Sequence, residues 1–217
     1  HYRVAISEQG FQKVFKNLYG DPFAQEIEVI PGSLRQPEMK LPFEKDVPWT
    51  YTGGPHTGWG DGEPWAAIDF APPGVSGCAT TPDWSTAVAD GVVVRTGPGQ
   101  LYLDLDGDGD ERTGWVLLYM HTASNGKVAE GTVVKRGDIL GHPSCEGGSS
   151  TGTHLHMVRK YNGEWISASG VLAYDLEGWI VEGTGLPYQG TMVRYGEVVI
   201  ATDYSSAKSQ IVSTISD

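Results

Sequence analysis

Two histidines stand two residues apart in Gly152-Thr-His154-Leu-His156. Alternate side chains of an extended chain share a face, so both imidazoles would point one way and Leu155 the other. The pair reads either as a solvated strand face or as part of one site, because burying two imidazoles without a metal or an acid is costly. A zinc site that keeps one position open for chemistry needs three nitrogen or oxygen ligands. Further candidates are His56, in Gly54-Pro55-His56, and Asp69, a lone carboxylate between Ile68 and Phe70. An acid in such a run is either a hydrogen-bonded core residue or a ligand. His121 follows the apolar run Trp115–Met120 and is either a surface residue at a strand end or a further imidazole for the same site. No His-Glu-x-x-His is present, so a helix-borne zinc pair with its own glutamate base is excluded.

A second cluster offers different chemistry. Asp104-Leu-Asp106-Gly-Asp108-Gly-Asp110 places carboxylates at alternate positions with Gly109 at the sixth, the pattern of a Ca²⁺ loop. Trp115 fills the twelfth position, where an EF-hand carries glutamate, and the flanking segments read as strands rather than helices. The segment is either a Ca²⁺ site or a solvated acidic hairpin tip, in which four close carboxylates repel one another. Cys145 as a nucleophile beside His142 or His154 would leave His56 and Asp69 without a role. His142, just before Pro143, reads as structural.

The elements that must carry these residues are mostly strands. Segments 87–95, 101–105, 115–121, 132–135 and 154–158 are rich in β-branched or aromatic residues and bounded by Gly, Asn or Asp. Segments 178–182, 191–195 and 197–201 extend the pattern, and a polar tail starts near Tyr204. Ahead of them, Phe11, Val14, Phe15 and Leu18 have the spacing of one helix face, with Gly20-Asp21-Pro22 as a stop. Glu26–Ile30 follows as a short extended piece and then a Pro-containing connector. The expected organisation is an N-terminal extension (1–40), a mainly β core of antiparallel strands (41–170) and a C-terminal β segment with a polar tail (171–217).

Composition narrows the function classes. The chain has 217 residues, 15 of them basic and 27 acidic, for a net charge of −12. No cluster of Lys and Arg is present to meet phosphates, so a nucleic-acid partner is excluded. The longest apolar run is far short of the ~20 residues that cross a bilayer, so no membrane span is expected. No charged segment followed by an apolar run opens the sequence, so a secretion signal is expected to have been removed already or to lie outside it.

Taken together, the segment Cys145-Glu-Gly-Gly-Ser-Ser-Thr-Gly-Thr-His-Leu-His156 with the trailing Tyr161-Asn-Gly-Glu-Trp165, Tyr119-Met-His121, and His56 thirteen residues before Asp69 resemble the lysostaphin-type zinc endopeptidases, in their staphylolytic and β-lytic branch. The resemblance covers about residues 41–170. It implies an antiparallel sheet flooring a groove walled by loops, with His56, Asp69 and His156 on one zinc ion and His121 and His154 as the catalytic imidazoles. It implies a metalloendopeptidase that cuts glycine-containing peptide bonds, above all in peptidoglycan cross-links, secreted or held in the cell envelope; a monomer is expected. Tyr51, Trp59 and Trp65 flank the His56–Asp69 segment and are expected to line the groove or to serve as ordinary packing. The family is mostly secreted, which favours a disulfide between Cys78 and Cys145, the only two cysteines. The acidic charge departs from basic wall-degrading relatives and would repel anionic wall polymers. That leaves open a peptidase directed at secreted proteins, or a non-catalytic wall-binding module with a zinc ion.

Overall fold

A computed structural model of the chain describes residues 9–20 and 29–215. The chain divides into two compact units, residues 1–31 and 32–217. In the first, α1 (Gln9–Tyr19) forms where the helical spacing predicts it, with Phe11 against Phe15 and Phe15 against Tyr19 along one face. Gly20, with φ +80°, accepts the left-handed conformation that ends the helix. Residues 26–28 of the expected extended piece lie outside the described residues, and Val29 and Ile30 form a bend.

The second unit is built from fifteen strands among the described residues. They are β1 (Pro48–His56), β2 (Ala67–Ala71), β3 (Ser85–Thr86), β4 (Gly91–Gly97), β5 (Gly99–Asp104), β6 (Trp115–Thr122), β7 (Val133–Val134) and β8 (Ile139–Gly141). After them come β9 (Leu155–Tyr161), β10 (Glu164–Trp165), β11 (Asp175–Leu176), β12 (Trp179–Gly183), β13 (Gly190–Arg194), β14 (Glu197–Ile200) and β15 (Gln210–Val212). The main sheet runs β15-β1-β2-β9-β6-β5-β4-β7, with β10 paired to β9, and a second sheet runs β11-β12-β13-β14. Every named strand pair is antiparallel. The mainly β, antiparallel fold expected from the strand patterns is the observed one.

Alternation along the central strands sorts the two faces. Leu117 and Tyr119 of β6, Leu155 and Met157 of β9, and Ile68 and Phe70 of β2 point into the larger core. That core also takes Phe43 and Trp49, stacked with centroids 4.9 Å apart, and Trp179, Val181, Met192 and Val199 of the second sheet. Val116, Leu118 and Met120, with Val158 and Ala67, form a smaller cluster on the opposite face. By the same alternation Asp69 and His156 belong to this second face, where the apolar cover runs out.

β1 opens on the strand formers Trp49-Thr50-Tyr51-Thr52, and Gly53-Gly54-Pro55 then interrupts the pattern. Its glycines serve close approach: a Cβ on Gly53 would stand 2.5 Å from Asp69 Oδ2, and one on Gly54 would stand 2.5 Å from the Gln189 carbonyl carbon. The strand is thus thinned where the Asp69 carboxylate and the β12–β13 connection press against it.

Candidate metal centre

Register brings the candidate ligands together. Asp69 on β2 is paired with His156 on β9, and His156 with Met120 on β6, while Gly53 of β1 is paired with Asp69. His56 closes β1, and the bulges between Tyr51 and His56 turn it toward Asp69. The result is a buried triangle: His56 Nε2 to His156 Nδ1 is 3.0 Å, His156 Nδ1 to Asp69 Oδ1 is 3.0 Å, and His56 Nε2 to Asp69 Oδ1 is 3.3 Å. Donors bound at about 2.0 Å to one tetrahedral ion lie roughly 3.3 Å apart, so the triangle has the size a zinc-like ion requires.

The outer hydrogen bonds fix what each ring offers. His56 Nδ1 lies 2.8 Å from the Gly54 carbonyl and His156 Nε2 lies 3.2 Å from the Gly58 carbonyl. A carbonyl only accepts, so these nitrogens carry the protons, and His56 Nε2 and His156 Nδ1 face Asp69 with lone pairs. Three lone pairs converging in a buried place repel unless a cation sits among them. A proton is the smallest such cation. Burial works against a charged His56, yet the Asp69 carboxylate, with the Gly54 carbonyl behind the ring, holds its pKa above the usual imidazole value. Burial would push the Asp69 carboxyl up, but His56 and His156 hold it well below the usual carboxylate range.

Two further imidazoles face this triangle. His154 Nε2 lies 3.8 Å from Asp69 Oδ1, and its Nδ1–H donates to the Gly152 carbonyl at 2.8 Å. His121 stands with its ring centroid 4.5 Å from that of His154, and its Nδ1–H donates to the Glu146 carbonyl at 3.0 Å. Strict alternation along β6 would send His121 with Leu117 and Tyr119 into the larger core. Its φ of +59°, a strained value for a residue with a Cβ, turns it to the face of Met120 instead. Burial, with His154 beside it, pushes the His121 pKa down to about 4, so the ring is neutral at physiological pH with Nε2 free to accept a proton.

These residues line a groove of about 930 Å³. Its walls are held by the disulfide Cys78–Cys145, with Cα atoms 5.6 Å apart, which joins the loop after β2 to the loop before β9. The Thr153 N–H donates to the Gly77 carbonyl at 2.8 Å and its hydroxyl to the Ala79 carbonyl at 2.6 Å, closing the same seam. The expected disulfide therefore forms.

Of the aromatic residues expected at the groove, Trp59 lines it and is half-exposed. Tyr51 is a correction: it is fully buried, packed on Phe70 at 5.5 Å, because its position on β1 faces the larger core. Trp65 is half-buried and outside the groove lining. Sequence reasoning missed Tyr188, whose ring stacks on His56 with centroids 4.1 Å apart. It comes from the β12–β13 connection, where its carbonyl accepts from Gly54 N–H at 2.9 Å and its N–H donates to the Pro55 carbonyl at 3.0 Å. No local signal marks Tyr188, 132 residues after its partner.

In the acidic loop, Asp104, Asp106 and Asp108 bring carboxylate oxygens within 4.8 Å of one another. Asp110 is drawn away, accepting from Arg112 Nε at 2.7 Å and Nη2 at 2.6 Å. Much of the remaining acceptor capacity is met by the loop itself, as where Gly109 N–H donates to Asp104 Oδ2 at 2.9 Å. His142 lies against Trp84 with centroids 3.5 Å apart and donates to the Asp83 carbonyl, a packing role.

Comparison with known proteins gives a consistent result. Residues 74–168 match the profile of Peptidase family M23. Protease LasA of Pseudomonas aeruginosa is 27% identical over 178 residues, which are 74% of this chain and 40% of that protein. The beta-lytic metalloendopeptidase of Achromobacter lyticus is 27% identical over 165 residues, 72% of this chain and 41% of that protein. That of Lysobacter enzymogenes is 26% identical, with 72% of this chain and 86% of that protein covered. The chain thus spans about two fifths of the length of the first two relatives. The solved structure of pseudoalterin, described as an M23 metalloprotease from the deep sea, superposes with a TM-score of 0.63 at 25% identity, covering 78% of this chain and 96% of that one. His121, His154 and His156 fall inside the matched segment, and His56 and Asp69 precede it. With an antiparallel sheet that gathers three ligand-type side chains and two further imidazoles on one groove floor, residues 74–168 carry a Peptidase family M23 domain, and the chain is similar to M23 metalloendopeptidases over about three quarters of its length.

Proposed function

We propose that this chain is a zinc-dependent endopeptidase that hydrolyses glycine-containing peptide bonds, with peptidoglycan cross-links as the foremost substrate. The observation that carries the reading is the convergence of three lone pairs at His56, Asp69 and His156, each ring's other nitrogen being committed to a backbone carbonyl. Two imidazoles and one carboxylate with open space beside them are the donor set of a catalytic rather than a structural zinc site. A zinc ion held there by His56, Asp69 and His156 would polarise a carbonyl and bring the pKa of a water near neutrality.

The remaining work falls to groups of the chain itself. His154 and His121 each present Nε2 as an acceptor, so one of them takes the proton of the attacking water. His154 is the nearer to the ligand triangle. The imidazolium so formed steadies the developing oxyanion and returns the proton to the leaving amine. Tyr188 keeps the His56 ring from turning, and its own ring walls one side of the groove.

Main chain on the walls supports glycine specificity. Gly58, Gly60, Gly77, Gly148 and Gly152 line the groove, and a substrate residue without a Cβ approaches such a surface most closely. The disulfide supports a secreted or envelope location, where thiols are oxidised. Among the described residues no helix is long and apolar enough to cross a membrane. The net charge of −12 favours, as a second reading, peptides or proteins free of anionic wall polymer.

The test is amine release from purified peptidoglycans and from oligoglycine, using protein of measured zinc content, with chelated and zinc-restored controls. Cleavage that follows zinc content is expected. Bound zinc without cleavage of any substrate would point to a binding module instead.

A further inference from the structure

The groove has one acid to spare. Among the described residues Asp69 and Asp203 are the only carboxylates that line it, and no Lys or Arg does. Asp69 is committed to the two ligand histidines. No described residue engages the Asp203 carboxylate in an ion pair or hydrogen bond.

Asp203 comes from the segment after β14, outside the residues that match the family profile. Its place is nevertheless fixed by main chain. The Ala201 N–H donates to the Gly190 carbonyl at 3.0 Å, and the Thr202 N–H donates to the Tyr51 carbonyl at 3.1 Å. This sets Asp203 beside the stretch of groove lined by Thr52 and Ala71. Ala71 follows Asp69 by two residues on β2 and shares its face, which puts the Asp203 end of the groove some 7 Å or more from the ligand triangle. An extended peptide advances about 3.3 Å per residue, so that distance is two to three residues of substrate.

We infer that Asp203 forms a subsite for a cationic group of the substrate, a lysine side chain or a free α-ammonium, two to three residues to one side of the scissile bond. This deepens the peptidase reading and rests on it. A solvent-facing carboxylate set apart from the ligand triangle, in a groove that no described Lys or Arg lines, selects by charge, and it does so most at low ionic strength. The effect is one of selection among glycine-containing peptides, since the metal centre and the imidazoles treat the scissile bond alike in all of them.

The experiment uses the zinc-loaded full chain and a set of glycine peptides in which a single lysine, or its acetylated and therefore neutral form, is moved along the sequence. Both kcat/KM and dissociation constants are measured. At one position, two or three residues from the bond that is cut, lysine is expected to exceed acetyl-lysine by about five-fold in 50 mM salt, the scale of one exposed charge pair. The ratio falls toward one in high salt and in Asp203→Asn, and it inverts in Asp203→Lys. Cleavage with no lysine preference at any position, or with a preference that survives Asp203→Asn, overturns the subsite and leaves the peptidase standing. Failure to cut any peptide with zinc bound overturns the peptidase reading; the dissociation constants then decide the subsite, which falls if lysine and acetyl-lysine peptides bind equally.

Discussion

The nitrogen that each histidine offers at this site is decided by the carbonyl behind its other nitrogen. Gly54 and Gly58 direct His56 Nε2 and His156 Nδ1 inward, and Gly152 and Glu146 do the same for Nε2 of His154 and His121. The two pairs differ in their distance from the Asp69 carboxylate, and their substitutions should therefore differ in kind. His56→Ala and His156→Ala are expected to lose bound zinc, whereas His121→Ala and His154→Ala keep it and lose about 10² to 10⁴ of kcat, the usual share of a positioned acid or base. Zinc content by atomic absorption, measured beside turnover, separates them, and loss of zinc from His121→Ala would refute its assignment. The pH behaviour is as specific. His121 has a pKa of about 4, below the 6.5 of an unfolded imidazole, so the unfolded chain binds more protons between these values. Stability contributed by neutral His121 is therefore present above pH 6.5 and lost as the pH falls toward 4. An NMR titration of the metal-free protein is expected to show one buried imidazole with its midpoint near 4.

At the scale of elements, the parts that obey a period were legible and the parts that break one were not. His154-x-His156 announces a shared face because strand side chains repeat every two residues; β9 starts at Leu155 and runs on to Tyr161, with His154 in a bridge to Ser144 just before it. The run before His121 was equally plain. That His121 serves this face at all depends on a left-handed backbone at one residue, which no side-chain pattern encodes. β1 is hard to read because its strand formers, Trp49 to Thr52, give way to two glycines and a proline, and Tyr51, open on the sequence to groove lining or packing, is sent inward by its parity. Tyr188 reaches His56 only through tertiary pairing of the second sheet with β1. These glycines carry a prediction of their own. Gly53→Ala forces a methyl to 2.5 Å from Asp69 Oδ2, so the carboxylate must swing away or the strands must part. Weaker zinc binding is expected with the fold retained, and titration with a zinc indicator in parallel with circular dichroism checks it. The disulfide is expected to act on stability more than on the ligands: replacing both cysteines by serine should cost about 4 kcal/mol in chemical denaturation on the chain-entropy account of a loop of 67 residues.

For the whole molecule, the family-matched segment is less than the folded unit. It ends at residue 168, yet Tyr174, Leu176, Trp179, Val181, Met192, Val199 and Ile211 belong to the same buried cluster as Phe43, Trp49 and Phe70. β15 pairs with β1, the strand that carries His56 at its end, and the β12–β13 connection supplies Tyr188. Residues 171–217 thus complete the core and the site at once. Ending the chain at residue 170 would bare the inner side of β1 and one side of the larger core, exposing several large apolar side chains, each worth roughly 1.5–3 kcal/mol of burial, against a total stability of about 5–15 kcal/mol. The sum of the lost burials exceeds that margin. The shortened protein is therefore expected to show no cooperative thermal transition and no stoichiometric zinc binding, whereas Tyr195→Ser, at a fully exposed hairpin position of the same segment, should melt as the parent does. A truncated chain that still melts cooperatively and holds zinc would mean that the strands before residue 170 close a core by themselves, and that Tyr188 and Asp203 were added to a site already complete.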